Sequence, residues 1–328
     1  MSEKRTPLNP AASLRQRLRG QIPSDRLGEP LQDGSCGVVR PETGNELSLI
    51  INAAMEEGLL LHPPDAELPP KNNYLELDLR RLSKILDLDP NSRTVTVQGG
   101  VLTGTIEQWL RIHGWTLGWF TPGLEELPLA ELIQDARAYQ PSPRYGGPVD
   151  SVLGFHAVLP DGREMWNKEA PGRATGPDLL SVLSGGFSFG VLTRLVLSIH
   201  ERPLFEDETI IEGPSLSALL TLGGRIARLA DSPARVLITR KDSERKRRAK
   251  PQWVLRAFWH LRDSEALSPE INKGTLKGFK VTQKRHEGIS KSDAWGPGLG
   301  RARTTLQGQL PESLVDALNR SPGSWILS

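Results

Sequence analysis

The glycine-rich run Ser184-Gly185-Gly186-Phe187-Ser188-Phe189-Gly190 has the composition from which phosphate cradles are made. Backbone N–H groups can close on an anion where no Cβ stands in the way. Here the run joins a helical pattern to a strand pattern, so it reads as a turn of the fold rather than a separate phosphate site. Asp178 and Glu131 are the residue types of an acid–base pair, but no local spacing places them together. Six scattered histidines and one cysteine, Cys36, supply no metal-ligand spacing. His260 and His286 are isolated, relics or chance placements, with chance the better reading. Cys36 reads as a small, partly buried hydrophobe. The sequence holds no Walker loop.

The elements that must position these residues follow from periodicity. A helix is expected around Ala12 to Arg19. Gly37 to Arg40 reads as a short strand stopped by Pro41. Thr43 with Glu46 three residues on is a capping box opening a helix through Leu47, Ile50, Ile51 and Ala54. Gly58 ends it before a strand at Leu59 to Leu61. The predicted result is a β–α–β unit with a parallel strand pair. Short strands follow at Tyr74 to Leu79, Ile85 to Asp89 and Thr94 to Val97. A helix runs from Thr103 to His113, with Gly114 as its stop. Val152 to Leu159 is a strand before the turn Pro160-Asp161-Gly162-Arg163. A short helix at Leu179 to Leu183 and a strand at Val191 to Ile199 come next. Beyond Pro203, helix is expected from Leu216 to Ala230 and strand from Val236 to Thr239, before the pattern thins into polar, Gly- and Pro-rich sequence. The tryptophans, Trp109, Trp115, Trp119, Trp166, Trp253 and Trp259, read as core or cleft lining. Trp115 to Phe120 is the most cleft-like cluster, with core packing the stronger reading.

Composition narrows the function classes. Hydrophobic residues are 37% and charged residues 24% of 328 positions, as in ordinary globular proteins. The net charge is +2, and one run, Arg240 to Lys250, holds seven basic residues against Asp242 and Glu244. No aromatic residues interleave with it, so it reads as a solvated loop and no nucleic-acid partner is expected. No apolar run is long enough to span a bilayer, and the polar N-terminal stretch lacks a signal core. With one cysteine, the expected location is the cytoplasm.

Several blocks carry a family resemblance. They are Val38-Val39-Arg40-Pro41 with Glu46 and Ala53-Ala54, Lys84 to Asp89, and Thr94 to Val101. Tyr145-Gly146 with Asp150, Leu159 to Arg163, Ala174 to Asp178 and Gly190-Val191-Leu192-Thr193 continue the order. Together they resemble the FAD-linked oxidase family of the vanillyl-alcohol oxidase and p-cresol methylhydroxylase (PCMH) type. The last two blocks look most like alkyldihydroxyacetonephosphate synthase. The resemblance implies an α+β fold, the PCMH-type FAD-binding fold of two α/β subdomains, with a shortened C-terminal cap region. It divides the chain into an N-terminal arm (1–36), an FAD-binding domain (37–203) and a truncated cap remnant (204–328). It implies FAD as cofactor, with contacts at Pro64, Asp65, Ala66, Glu67, Pro122, Gly123, Ala130, Glu131, Gly146, Gly190 and Val191.

The chain departs from the family where the diphosphate should lie. The family's first loop reads Pro-x-Gly-Gly-Gly-Thr-Ser; this chain has His62-Pro63-Pro64-Asp65-Ala66-Glu67-Leu68-Pro69. The second should carry Ser-Thr-x-Gly-Gly and is instead Leu127-Pro128-Leu129-Ala130-Glu131. Before Gly190 the family places Glu-Gly-Thr, and here stands Gly186-Phe187-Ser188. The covalent flavin histidine of the family has no evident equivalent, His62 being a hydrogen-bonded residue near the loop. The synthase cap's histidine run and catalytic tyrosine have no counterpart among the 125 residues after Pro203, for Tyr74, Tyr139 and Tyr145 all lie earlier. Two expectations follow: a flavoprotein-type oxidoreductase domain with FAD binding weakened or lost, a possible pseudoenzyme, or a flavin-free interaction or scaffold protein on the same fold. The second leaves room for a protein partner.

Overall fold

The computed structural model describes residues 10–28, 37–64, 74–119, 123–134, 141–167, 179–213, 215–241, 252–263, 278–287 and 326–327. The chain forms two compact units. The first comprises Met1–Leu117, Gly123–Ala138 and Pro148–His200, and the second Gly118–Pro122, Tyr139–Gly147 and Glu201–Ser328.

In the first unit, α1 (Pro10–Leu18) packs on α2 (Gly44–Glu56), with the Ser13 hydroxyl donating to Glu57 at 2.7 Å. The predicted cap is present: the Glu46 N–H donates to Thr43 Oγ1 at 3.2 Å. Its other half differs, because the Glu46 carboxylate accepts from the Glu42 N–H and pairs with Arg26. Leu47, Ile50, Ile51 and Ala54 form the buried stripe of α2, and Gly58, at φ +67, ends the helix in the left-handed conformation. The strands β1 (Val38–Val39), β2 (Leu60–His62) and β3 (Tyr74–Leu77) form a parallel sheet. The expected pairing of β1 with β2 does not occur. The strand β3 lies between them, and its residues Tyr74, Leu75 and Leu77 are all buried, so the most apolar strand takes the centre.

The other sheet of this unit is antiparallel in the order β4-β5-β9-β7-β8. Its strands are β4 (Ile85–Asp89), β5 (Thr94–Gln98), β7 (Val152–Val158), β8 (Glu164–Asn167) and β9 (Val191–Ser198). The period-two pattern of β5 puts Val95 and Val97 into the core, opposite Leu197 and Leu195 of β9. Between β5 and β9 in sequence come α3 (Thr103–Ile112), β6 (Trp115–Thr116), α4 (Leu129–Gln134) and α5 (Leu179–Leu183); β10 (His200–Glu201) follows β9.

Gly99 and Gly100 lie just past β5, where three backbone segments meet. The Gly99 N–H donates to Thr193 O at 2.9 Å, and the Gly100 N–H to Leu82 O at 2.8 Å. A Cβ at Gly99 would fall on the Leu192 carbonyl, and one at Gly100 on the Leu79 carbonyl. Beside this junction Asp78 is buried and accepts from Arg80 Nε at 2.8 Å, the Arg80 N–H at 3.1 Å and Arg40 Nε at 3.2 Å. Burial by itself would raise this carboxyl, but the bonds from Arg80 and Arg40 hold it below its ordinary 3.8.

The second unit centres on a five-stranded sheet in the order β14-β11-β13-β12-β15. Its strands are β11 (Phe205–Glu212), β12 (Arg235–Lys241), β13 (Gln252–Leu261), β14 (Lys280–Glu287) and β15 (Ile326–Leu327). One face is covered by α6 (Leu216–Ile226), whose Leu216, Leu219, Leu222 and Ile226 pack on Ile211, Ile238, Trp253, Leu255, Ala257 and Trp259. The strand β13 falls in sequence that the periodicity reading passed over as thinned and irregular. Its odd positions are apolar and meet α6, while its even positions include Arg256 and His260, which breaks the apolar run that a simple scan seeks.

Two predictions test these junctions. Gly100→Ala should destabilise the protein by several kcal/mol or prevent folding, because backbone must move. Gly114→Ala, at φ +82 with nothing within 4 Å, should cost only about 1–2 kcal/mol; urea unfolding of both variants checks the contrast. Asp78 stabilises the fold at pH values above 3.8, and that contribution is lost as the pH falls through its depressed folded value. Asp78→Asn should therefore cost about 1–3 kcal/mol at neutral pH and flatten the acid limb of the stability–pH curve.

Candidate functional site

The segment Leu127 to Glu131, where the resemblance leads one to expect the second diphosphate loop, is held by its own backbone bonds. The Leu127 N–H donates to Leu124 O at 3.1 Å, the Leu129 N–H to Val101 O at 2.9 Å, and the Ala130 N–H to Gly99 O at 2.7 Å. Pro128 has no N–H. The Leu127 carbonyl accepts from Thr103 N–H and Oγ1, at 3.0 and 2.9 Å. All four residues from Leu127 to Ala130 therefore offer no amide hydrogen to an outside anion. Leu129 and Ala130 are fully buried, and Glu131 keeps only 7% of its surface exposed. A buried carboxylate is a poor neighbour for phosphate. Its charge acts with the Asp78 hydrogen bonds to raise the Arg80 guanidinium, the Asp78 bonds being the larger cause.

One functional-looking residue escaped the sequence reading. Gln134, buried at the end of α4, donates through Nε2 to Gly190 O at 2.7 Å and Leu183 O at 3.2 Å. Its Oε1 accepts from the Leu192 N–H at 3.1 Å. The structure thus brings α4, with Ala130 and Glu131, to the turn at Gly190 and Val191, as one polar clamp. Gly190 is at φ +139, its N–H donates to Phe187 O at 3.2 Å, and a Cβ there would press on Val158 O at 2.9 Å. Val191 is buried in β9, opposite Val158. The only signal in sequence was an amide among apolar neighbours, Leu132-Ile133-Gln134.

The remaining expected contacts are placed as follows. Asp65, Ala66, Glu67 and Pro122 lie outside the described residues, as do Asp178, Cys36 and Phe120. Pro64 is half-buried beyond β2. His62 sits at the end of that strand, its Nδ1 2.7 Å from Pro63 O and its ring 4.7 Å from that of Tyr74. Gly123 is an exposed turn residue at φ +74. Gly146 belongs to the second unit, in a turn where its N–H and Ser142 O, and Ser142 N–H and its own carbonyl, pair at 2.9 Å. Trp253 and Trp259 are core, as the packing reading expected, whereas Trp166 is 58% exposed and stacks on His156. His260 and His286, isolated in sequence, are not isolated in the fold. The register of β11, β13 and β14 puts His260 and His286 on either side of Glu206. Pairing distant strands, which no local spacing reports, makes this cluster. Among the described residues no group of three or more His, Cys, Asp or Glu could hold a metal, and no helix is long and apolar enough to cross a membrane.

This architecture, a small parallel sheet and an antiparallel sheet in one unit and a helix-covered sheet in the other, is the PCMH-type FAD-binding fold. Against p-cresol methylhydroxylase the TM-score is 0.59 at 15% identity, over 77% of this chain and 60% of that one. Against alkyldihydroxyacetonephosphate synthase it is 0.56 at 16% identity, over 68% and 48%. Residues 36–166 match the family model described as FAD binding domain. Alkyldihydroxyacetonephosphate synthase of Caenorhabditis elegans is 24% identical over 180 residues, 51% of this chain and 30% of that protein. The FAD-linked oxidoreductase YgcU of Escherichia coli (strain K12) is 34% identical over 116 residues, 34% of this chain and 23% of that protein. The chain therefore spans less than a third of these curated relatives.

Replacing Gln134 by Leu should leave the Gly190 carbonyl and the Leu192 N–H without this partner and cost about 3 kcal/mol. Hydrogen exchange at the Leu192 amide should quicken in the same variant, which a general loss of packing elsewhere would not single out.

Proposed function

We propose that this protein is a relative of flavin-dependent oxidoreductases and of alkyldihydroxyacetonephosphate synthase in which the hold on FAD is weakened or lost. The observation that carries this reading is the engagement of every amide hydrogen from Leu127 to Ala130 by the chain's own carbonyls. Burial of Glu131 beside them adds negative charge where the resemblance expects a diphosphate. The prolines and acids of Pro63-Pro64-Asp65-Ala66-Glu67 act in the same direction. One carboxylate about 4 Å from a phosphate charge, at an effective dielectric of about 20, costs roughly 4 kcal/mol. That corresponds to about three orders of magnitude in affinity. The residues present do not fit the diphosphate, and no chemical step is assigned to a flavin here.

The same engagement favours a second reading, a flavin-free interaction or scaffold protein on this fold. Residues 37–203 are then the inherited framework and 204–328 a shortened cap, with the single Cys36 suiting a reducing compartment such as the cytoplasm.

Absorbance of the purified protein and titration with FAD separate the readings. The expected protein is colourless and binds added FAD weakly or not at all. Replacing Asp65, Ala66 and Glu67 by Gly, Gly and Thr should raise FAD affinity at least tenfold if a weakened site persists, and should change nothing if the flavin-free reading holds. Stoichiometric flavin in the unmodified protein would overturn both.

A further inference from the structure

The second unit contains a chain of titratable groups that the flavin reading does not use. Tyr145 Oη lies 3.0 Å from His260 Nδ1, and His260 Nε2 lies 3.1 Å from Glu206 Oε2. The same Glu206 oxygen accepts from Arg235 at 2.7 Å. Glu206 is fully buried, Arg235 is 5% and His260 7% exposed, while Tyr145 is half-buried and the neighbouring Arg144 exposed. The inner end of the chain is therefore shielded and the phenol marks its outer end.

The direction of the hydrogen bonds follows from charge. Glu206 Oε2 accepts from Arg235, so as an acceptor it leaves His260 Nε2 to carry the proton of their shared bond. Nδ1 is then the acceptor and the Tyr145 hydroxyl donates to it. Burial pushes the His260 imidazole down, opposed by the hydrogen bond and charge of Glu206, with Arg235 and Arg144 lowering it further. The imidazole is thus neutral at neutral pH, and its Nδ1 lone pair faces the phenol. Other charges face this group from each strand around it. On β11 Glu208 lies 3.5 Å from Arg256 of β13 and 3.4 Å from His286 of β14.

The phenol is also held in place. Ser142 Oγ donates to Ala234 O at 2.7 Å, next to Arg235, and accepts from the N–H groups of Arg144 and Tyr145 at 3.2 and 3.1 Å. A single hydroxyl thus ties the turn bearing Tyr145 to the strand bearing Arg235. Gly118, at φ +74, leaves room for the ring, since a Cβ there would stand 2.6 Å from Tyr145 Cγ. Arg144 donates to His260 O at 3.3 Å, and its guanidinium lies 5.6 Å from the ring centroid.

We infer that Tyr145, His260 and Glu206 form a flavin-independent proton-transfer site, in which the Tyr145 phenol meets an anionic substrate bearing an acidic hydroxyl or a C–H beside a carbonyl. The arrangement is a reacting group, a base and an orienting carboxylate in line. The phenolic oxygen takes the substrate proton as its own proton passes to His260 Nδ1. The electron pair stays on the substrate as alkoxide or enolate, and Glu206 holds the resulting imidazolium. Return of the proton along the same path restores the site, so no oxidant or reductant enters. Arg144, exposed beside the ring, supplies the charge that draws a carboxylate or phosphate group to this end.

N-acetylimidazole, which acetylates activated phenols with loss of imidazole, reads the relay directly on the full chain. Peptide mapping should show Tyr145 acetylated at least tenfold faster than N-acetyltyrosinamide at pH 7. The rate should persist through the ordinary imidazole range and fall only at more acidic pH, as His260 is protonated. His260→Gln keeps a hydrogen-bonding side chain but no base, and should remove both the enhancement and the acid limb while circular dichroism stays native. If that variant fails to fold, the pH profile of the unmodified protein still decides. A Tyr145 rate at or below that of the free amide, or one without an acid limb, would overturn the proposal and leave a purely structural network.

Discussion

Everything in the first unit converges on the crossing at Gly99 and Gly100. There the end of β5 lies close enough to Leu192 on one side and Leu79 on the other that no Cβ can intervene. Close approach lets each backbone donor find a carbonyl: Gly99 bonds to Thr193 and Gly100 to Leu82. It also exposes the acceptors of Gly99 and Val101 to Ala130 and Leu129, which dock α4 against the sheet. Buried backbone groups must pair with something. Here the pairing is internal, and it occupies the amide hydrogens of Leu127, Leu129 and Ala130.

The second unit meets a different constraint. Its sheet has one face sealed by α6 with apolar side chains. Glu206 and Arg235 are nonetheless buried, and removing two charges from water is expensive even when they pair. Asp207, which alternates with Glu206 along β11, is matched separately by Arg285 at 2.6 Å. Buried charge on this scale is tolerated because each acid has a guanidinium or imidazole on a neighbouring strand. Such a network fixes strand register, since a one-residue slip would part every pair. It also leaves a neutral imidazole between a phenol and a carboxylate.

Legibility in the sequence tracked the range of the interactions. The Thr43 cap, the stripe of α2 and the alternation of β5 are local, and each was readable from residue spacing. The central position of β3 was not, because β1 and β2 are too short for their pairing to be judged without the third strand. The run Gln252–Leu261 has alternating apolar residues, yet Arg256 and His260 on its other face hid the strand. Gln134 was invisible as a clamp because its partners are Leu183, Gly190 and Leu192, about fifty residues on. In the segments His62 to Pro69 and Leu127 to Glu131 the sequence showed prolines and acids and no glycine. Which donors those loops retain is a question of backbone pairing, which composition does not report.

By itself, the sequence determined the resemblance of the framework to the PCMH-type fold, the helix caps and stops, and the glycine-free composition of Leu127 to Glu131. These are properties of short segments, set by Cβ sterics, ring constraints and side-chain charge. Tertiary structure alone decided that the amides of Leu127 to Ala130 face inward to carbonyls. It alone joined Tyr145, His260, Glu206 and Arg235, separated by up to 115 residues, into one line. Strand register and turn anchoring are collective results of packing, and no single segment contains the information to fix them.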